Sequence, residues 1–264
     1  MKNKLIHTSL LILSDQYIKM NILAISSSRV GSGGFLENAL PLIIESVSNN
    51  NHKIAFIPFA SVQRSYYEYG EMVKRALTSL PNLIEVVKPI DAKKTVEHAD
   101  VIIVGGGNTF KLLHDIYNLD LFELIRNKVE GGTTYIGWSA GANIAGRTIC
   151  TTNDMPIIEP RSFTALGLFP FQINPHYFNQ QVDGHNGETR DQRLEEYVIL
   201  NPNIPVIGIP EGTALKLSNS ILQFNGDRDG VLFQTDANKL PLKKLISQGE
   251  DLSWLYLKNS DLRV

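Results

Sequence analysis

The 264-residue chain has one cysteine, two tryptophans and no marked excess of either charge, with 25 lysines and arginines against 27 aspartates and glutamates. A single thiol, Cys150, forms neither an internal disulfide nor a Cys-rich zinc site, and such usage fits a reducing compartment, so a cytoplasmic protein without a metal is expected. A formal net charge of −2 gives no electrostatic footprint for a polyanion, which removes nucleic acid from the expected partners. No run approaches the about 18 consecutive apolar residues of a membrane-spanning helix, so no membrane partner is expected either. Repeats, low-complexity tracts and linkers are also missing. What remains is an ordinary globular composition, 43% hydrophobic, in a chain long enough to bury roughly 75% of its unfolded surface.

The amino terminus stands apart. Its apolar stretch from Leu5 to Leu13 is interrupted by His7, Thr8 and Ser9, and Asp15-Gln16-Tyr17 is a poor cleavage site, which argues against a secretory signal. Residues 1–19 are therefore read as an extension, with Met20 as an alternative start, and residues 20–264 as a single catalytic domain.

From Asn21 onward, short apolar runs alternate with amphipathic stretches, the pattern of βαβ units. Strands are expected at Asn21 to Ser26, Lys53 to Phe59, Leu83 to Val87, Val101 to Val104 and Thr133 to Gly137. Helices are expected over Phe35 to Val47, Tyr66 to Leu80, Thr109 to Ile116 and Leu121 to Val129. Loops rich in Pro, Thr and Asn follow from Thr151 to Pro175, then a helix over Gly187 to Leu200, a buried strand at Val206 to Pro210, and antiparallel hairpin strands at a sheet edge between Ala214 and Phe233. The fold class is α/β: an open, mainly parallel sheet with helices on both faces and antiparallel strands near the carboxyl terminus.

The strongest chemical signal is Gly137-Trp138-Ser139-Ala140-Gly141, a G-x-S-x-G pentapeptide between an apolar strand and a helix that would begin at Ala140. A sharp strand-to-helix turn lifts such a serine out at the carboxyl edge of the sheet. A serine nucleophile needs a base, usually histidine. Of six histidines, His7 lies in the extension and His52, His98 and His114 lie in charged or helical surface segments. His176, in Q-I-N-P-H, can be aimed from a strand end, whereas His185, in D-G-H-N-G, reads as a loop tip. Spacing leaves the orienting acid open between Asp154, in T-T-N-D-M-P, and Glu211, after V-I-G-I-P. The backbone N–H of Ala140 and the strand-end loop Gly105-Gly106-Gly107-Asn108 are natural donors to an oxyanion. That loop lacks the endings of nucleotide-binding motifs, so no cofactor is expected.

Six ordered motifs, namely G-G-G-N-T-F (Gly105 to Phe110), Y-I-G-W-S-A-G-A-N (Tyr135 to Asn143), T-T-N-D-M-P (Thr151 to Pro156), Q-I-N-P-H (Gln172 to His176), G-H-N-G-E-T-R (Gly184 to Arg190) and G-I-P-E-G (Gly208 to Gly212), closely resemble those of peptidase E, the α-aspartyl dipeptidase family. The resemblance runs from about Met20 to Gly230. It implies a serine exopeptidase for Asp-X dipeptides on a fold similar to class I glutamine amidotransferases, acting as a monomer or homodimer. It further implies a triad at Ser139, His176 and Glu211, oxyanion donors at Gly107 and Ala140, and no metal or organic cofactor. Arg190, Asp154 and Asn108 become the expected substrate-binding side chains, Arg190 for the aspartate carboxylate and Asp154 for the free ammonium. Cys150 is then expected to be a small buried residue near the site. Competing readings are a cyanophycinase-like hydrolase of β-aspartyl peptides, an α/β-hydrolase esterase using Asp154, and a noncatalytic binding protein on the same scaffold.

Overall fold

The computed structural model of the chain describes residues 20–180, 184 and 186–258. The expected extension over residues 1–19 and the loop-tip His185 lie outside the described residues.

Two sheets form. The larger takes the order β3(Ile84–Val86), β2(Ile54–Ile57), β4(Val101–Val104), β5(Thr134–Trp138), β1(Ile22–Ile25), β8(Ala214–Ser218), β9(Ile221–Asn225). From β3 to β1 the neighbours run parallel, and β8 and β9 add on antiparallel. The central strands are buried at every position, with Thr134 of β5 the one polar residue among them, because helices cover both faces. Ile22, Ala24, Ala55, Ile57, Ile102 and Val104 point into one core with Leu112, Leu113, Ile116, Ile125 and Val129 of α4(Thr109–Asn118) and α5(Phe122–Glu130). The alternate residues Leu23, Ile25, Ile54, Phe56, Ile103 and Trp138 point into the other core, with Ile43 and Val47 of α1(Leu40–Val47) and Val73 of α2(Tyr66–Ala76).

The helix expected from Phe35 begins only at Leu40. Leu36 takes a positive φ of 60° and Pro41 occupies the first turn, where a missing N–H breaks no helical bond. A short helix, α3(Ala92–Glu97), escaped the sequence reading because its six residues carry too few apolar positions to show a period.

The smaller sheet has the order β11(Pro241–Ile246), β10(Gly230–Thr235), β7(Val206–Ile209), β6(Gln172–Pro175), with β6 and β7 parallel. Its existence was not legible, since a short apolar run shows burial but not which strand it pairs with. The expected edge hairpin is β8 and β9, whereas β10 leaves that edge and pairs with β7. Helix α7(Arg190–Leu200) covers the small sheet through Leu194 and Val198, packed on Val206, Val231 and Phe233.

Between the sheets lies α6(Ala140–Asn143), a single turn whose Asn143 Nδ2 donates to the Ile173 carbonyl of β6 at 2.8 Å. Its approach to β4 requires glycine, since a Cβ on Gly141 would lie 2.3 Å from the Val104 carbonyl oxygen. Gly141→Ala is therefore expected to destabilise the fold by about 1–3 kcal/mol, the usual range for overpacking. Urea unfolding of the variant checks this, and an unchanged midpoint would contradict it.

Candidate active site

Ser139 closes β5 with φ 53° and ψ −113°, a conformation non-glycine residues rarely adopt, at a cost of order 1–3 kcal/mol. The surroundings hold it there. Its N–H donates to the Ile25 carbonyl at 3.1 Å, and its own carbonyl accepts from Asn143 N–H at 2.9 Å, the first bond of α6. Gly137 permits the tight turn, because a Cβ there would stand 2.4 Å from the Gly141 carbonyl oxygen.

The partners of Ser139 come from the small sheet. His176 follows β6 and Glu211 follows β7, so parallel pairing brings both to one edge. Ser139 Oγ lies 3.0 Å from His176 Nε2, and His176 Nδ1 lies 2.9 Å from Glu211 Oε1. An ionised carboxylate only accepts, so Nδ1 carries the proton and Nε2 accepts from the serine hydroxyl. Of the two acids left open by spacing, the structure places Glu211 and not Asp154 beside the histidine. His176 also has a positive φ, 51°. Its N–H donates to the buried Ser26 Oγ at 2.9 Å, and the Ser26 hydroxyl donates to the Ile209 carbonyl at 2.7 Å.

The Gly105 to Asn108 loop packs directly against the serine. A Cβ on Gly106 would be 2.9 Å from Ser139 Cβ, and Gly107, at φ +143°, lies so close to Ala60 that a Cβ would meet its carbonyl oxygen at 2.2 Å. Gly105 N–H donates to Ile57 O at 3.0 Å and Asn108 N–H to Ala60 O at 2.9 Å. The N–H groups of Gly107 and Ala140 meet no acceptor among the described residues, which leaves them available to a bound oxyanion.

These groups open on a cavity of about 500 Å³, lined among others by Arg64, Tyr69, Gly107, Asn108, Ser139 and His176. Arg64, at the end of the loop after β2, is the one arginine or lysine on its wall among the described residues. Sequence reasoning missed Arg64, Tyr69 and Ser26. For the arginine no pattern distinguishes it from a surface residue. The capping box of Ser65 and Glu68, which starts the helix bearing Tyr69, was a readable signal for the helix but not for the hydroxyl.

The expected substrate-binding residues are placed differently from one another. Asn108 lines the cavity, yet its side chain caps α4 by accepting from Lys111 N–H at 3.0 Å and donates to Met155 O at 2.9 Å. Asp154 is not on the cavity wall. Its Oδ2 accepts from Thr109 N–H at 2.7 Å and Thr109 Oγ1 at 2.6 Å, the position of an anion at a helix start. Arg190 stands in the first turn of α7, half-buried and in no ion pair among the described residues. Burial, and Arg193 beside it, pull it below the ordinary arginine range. Cys150 is exposed, correcting the expectation that it is buried; it lies on a turn after the Thr148 to Thr164 bridge, where no core forms over it. Among the described residues, no cluster of three or more His, Cys, Asp or Glu could hold a metal, and no helix is long and apolar enough to cross a membrane.

Comparison with known proteins agrees with this architecture. The model of peptidase family S51 matches residues 22–224. Peptidase E of Shewanella amazonensis is 48% identical over 239 residues, covering 89% of this chain and 100% of that one. Peptidase E of Shewanella denitrificans is 48% identical over 235 residues, covering 89% and 98%. Among solved structures, a peptidase from an acI-B1 actinobacterium superposes with a TM-score of 0.61 at 19% identity, covering 89% of this chain and 98% of that one, a likeness of fold.

The Ser26 contacts generate a prediction. Ser26→Ala leaves the His176 N–H without its partner and removes one of the two bonds to the Ile209 carbonyl, which keeps Tyr177 N–H at 3.1 Å; the unpaired donor costs about 1–3 kcal/mol. Thermal and urea unfolding should both register the loss, and wild-type stability would show that the hydroxyl does not tie the sheets.

Proposed function

Because the chain belongs to peptidase family S51, as its match over residues 22–224 and its 48% identity to peptidase E relatives establish, we propose that it is a serine exopeptidase hydrolysing Asp-X dipeptides. The observation that carries this reading is the relay from Ser139 Oγ through the His176 ring to Glu211, with contacts of 3.0 and 2.9 Å. Ser139 attacks the carbonyl of the aspartyl residue while His176 Nε2 takes its proton, and Glu211 stabilises the imidazolium that forms. The oxyanion of the tetrahedral intermediate lies against the N–H groups of Gly107 and Ala140. His176 then hands its proton to the leaving amine, and water, activated by the same histidine, hydrolyses the aspartyl ester of Ser139. No step calls for a metal or organic cofactor.

Selectivity for aspartate needs a cation facing the side-chain carboxylate. Arg190 is our assignment. Its support is the matching G-E-T-R motif and a half-buried guanidinium with no ion pair among the described residues. Arg64 is the second reading, favoured by its position on the cavity wall. Asp154 and Asn108, engaged at the start of α4, hold the rim of the site in this reading. A cytoplasmic site of action fits the single, unpaired Cys150.

The test is a kinetic panel on wild type, Ser139→Ala, Arg190→Ala and Arg64→Ala with Asp-Leu, Asn-Leu, β-Asp-Leu and N-acetyl-Asp-Leu. Wild type is expected to cleave Asp-Leu alone, and Ser139→Ala to lose at least about 10⁴-fold in kcat/KM. Arg190→Ala is expected to lose about 100-fold of the preference for Asp-Leu over Asn-Leu; retention there with loss in Arg64→Ala would transfer the role. Cleavage of β-Asp-Leu in preference to Asp-Leu would replace the substrate class, and full activity of Ser139→Ala would overturn the mechanism.

A further inference from the structure

The hydroxyl of Tyr69 sits behind the Gly105 to Asn108 loop, where the mechanism above gives it no role. It is 3.0 Å from the Gly106 carbonyl oxygen and 3.1 Å from Trp138 Nε1. An indole N–H only donates, so the tyrosine oxygen accepts from Trp138 and its proton goes to Gly106 O. Burial pushes the phenol up to about 12, keeping it a donor at any working pH.

That carbonyl belongs to the same peptide unit as the Gly107 N–H. The unit is planar and trans, so C=O and N–H point in opposite directions. Holding the Gly106 oxygen against Tyr69 therefore aims the Gly107 N–H away from Tyr69. The same loop is packed against Ser139. The Tyr69 contact matters because glycine backbones are conformationally free, and Gly106 and Gly107 make no other backbone hydrogen bond outside regular elements among the described residues. A carbonyl that accepts a hydrogen bond also polarises its own amide, which strengthens the N–H as a donor.

Resting on the proposed acyl-transfer reading, we propose that Tyr69 is a positioning residue of the oxyanion hole, fixing and polarising the Gly106–Gly107 peptide through its hydroxyl. Trp138, the residue before the nucleophile, orients that hydroxyl in turn, so the donor loop and the serine turn are set against one another through one buried phenol. The ring itself is anchored edge-on to Phe56, with centroids 5.1 Å apart and planes at 88°, so removing only the oxygen leaves the packing in place.

Tyr69→Phe tests it. Deleting an oxyanion donor outright costs about 10²–10³ in kcat; loosening one should cost less, about tenfold in kcat for Asp-Leu, with KM within about twofold of wild type. The rate of Ser139 labelling by a fluorophosphonate, whose phosphoryl oxygen occupies the same hole, should fall in parallel. In ¹H–¹⁵N spectra the Gly107 amide should move upfield as its carbonyl loses the hydrogen bond, while the melting temperature registers any general loosening. Wild-type kcat and labelling rate in folded Tyr69→Phe, or a loss confined to KM, would overturn the proposal. Ser139→Ala run alongside separates the cases: if that variant stays active or the wild type resists labelling, the acyl-transfer reading fails, whereas inactivity of Ser139→Ala with an unaffected Tyr69→Phe sinks only the role of Tyr69.

Discussion

Ser139 is delivered by the large sheet while His176 and Glu211 are delivered by the small one, so their spacing depends on how the two sheets abut. The Ser26 hydroxyl spans that boundary. Standing just past the end of β1, it donates to Ile209 at the end of β7 and accepts from His176 at the end of β6. A single buried oxygen that both donates to and accepts from the other sheet sets position as well as distance, since a displaced sheet would leave the His176 N–H unpaired and take a bond from Ile209 O. Asn143 repeats the device one turn along, from α6 to β6. The junction is polar where it must be specific and apolar elsewhere.

Strain follows from the same arrangement. Ser139 and His176 both hold positive φ values without being glycine, each at a cost of order 1–3 kcal/mol, in a fold whose whole stability is expected near 5–15 kcal/mol. Such conformations persist only when overdetermined. Around Ser139 the overdetermination is close backbone packing: Gly137 against Gly141, Gly141 against Val104 and Gly106 against Ser139 itself, each at a distance no Cβ would tolerate. Around His176 it is hydrogen bonding, from its own N–H to Ser26 and from its ring to Glu211. Ser139 is thus held by close backbone packing in addition to its own hydrogen bonds, and His176 by hydrogen bonds at a sheet edge.

The large sheet was readable because Val101 to Val104 is a continuous apolar run ending at Gly105 and the run around Tyr135-Ile136 follows Gly131-Gly132, and the serine turn because glycines flank a serine where strand meets helix. Elimination among six histidines left His176 and His185, and the strand end before His176, together with the family resemblance, pointed to the former. The small sheet was not legible, since whether Val206 to Ile209 joins β1 or β6 is decided by packing of residues far apart in sequence. Glu211 was undecided against Asp154 for the same reason: both lie in segments between elements, and only the pairing of β6 with β7 brings one of them to the histidine. Arg64 and Tyr69 carried no local signal, because a side chain's direction into a cavity is set by how the loop after β2 and the helix α2 pack and not by their composition.

The charge balance of the cavity bears on how a near-neutral chain can attract a charged ligand. With a formal net charge of −2, the protein as a whole does little to gather anions over distances beyond a Debye length, about 8 Å in physiological salt. Discrimination therefore has to be local. A guanidinium on the wall, such as Arg64, keeps its attraction where water is partly excluded and ions screen it less. A strongly basic surface would instead attract polyanions indiscriminately, whereas one arginine on a cavity wall in a near-neutral chain confines the attraction to the cavity.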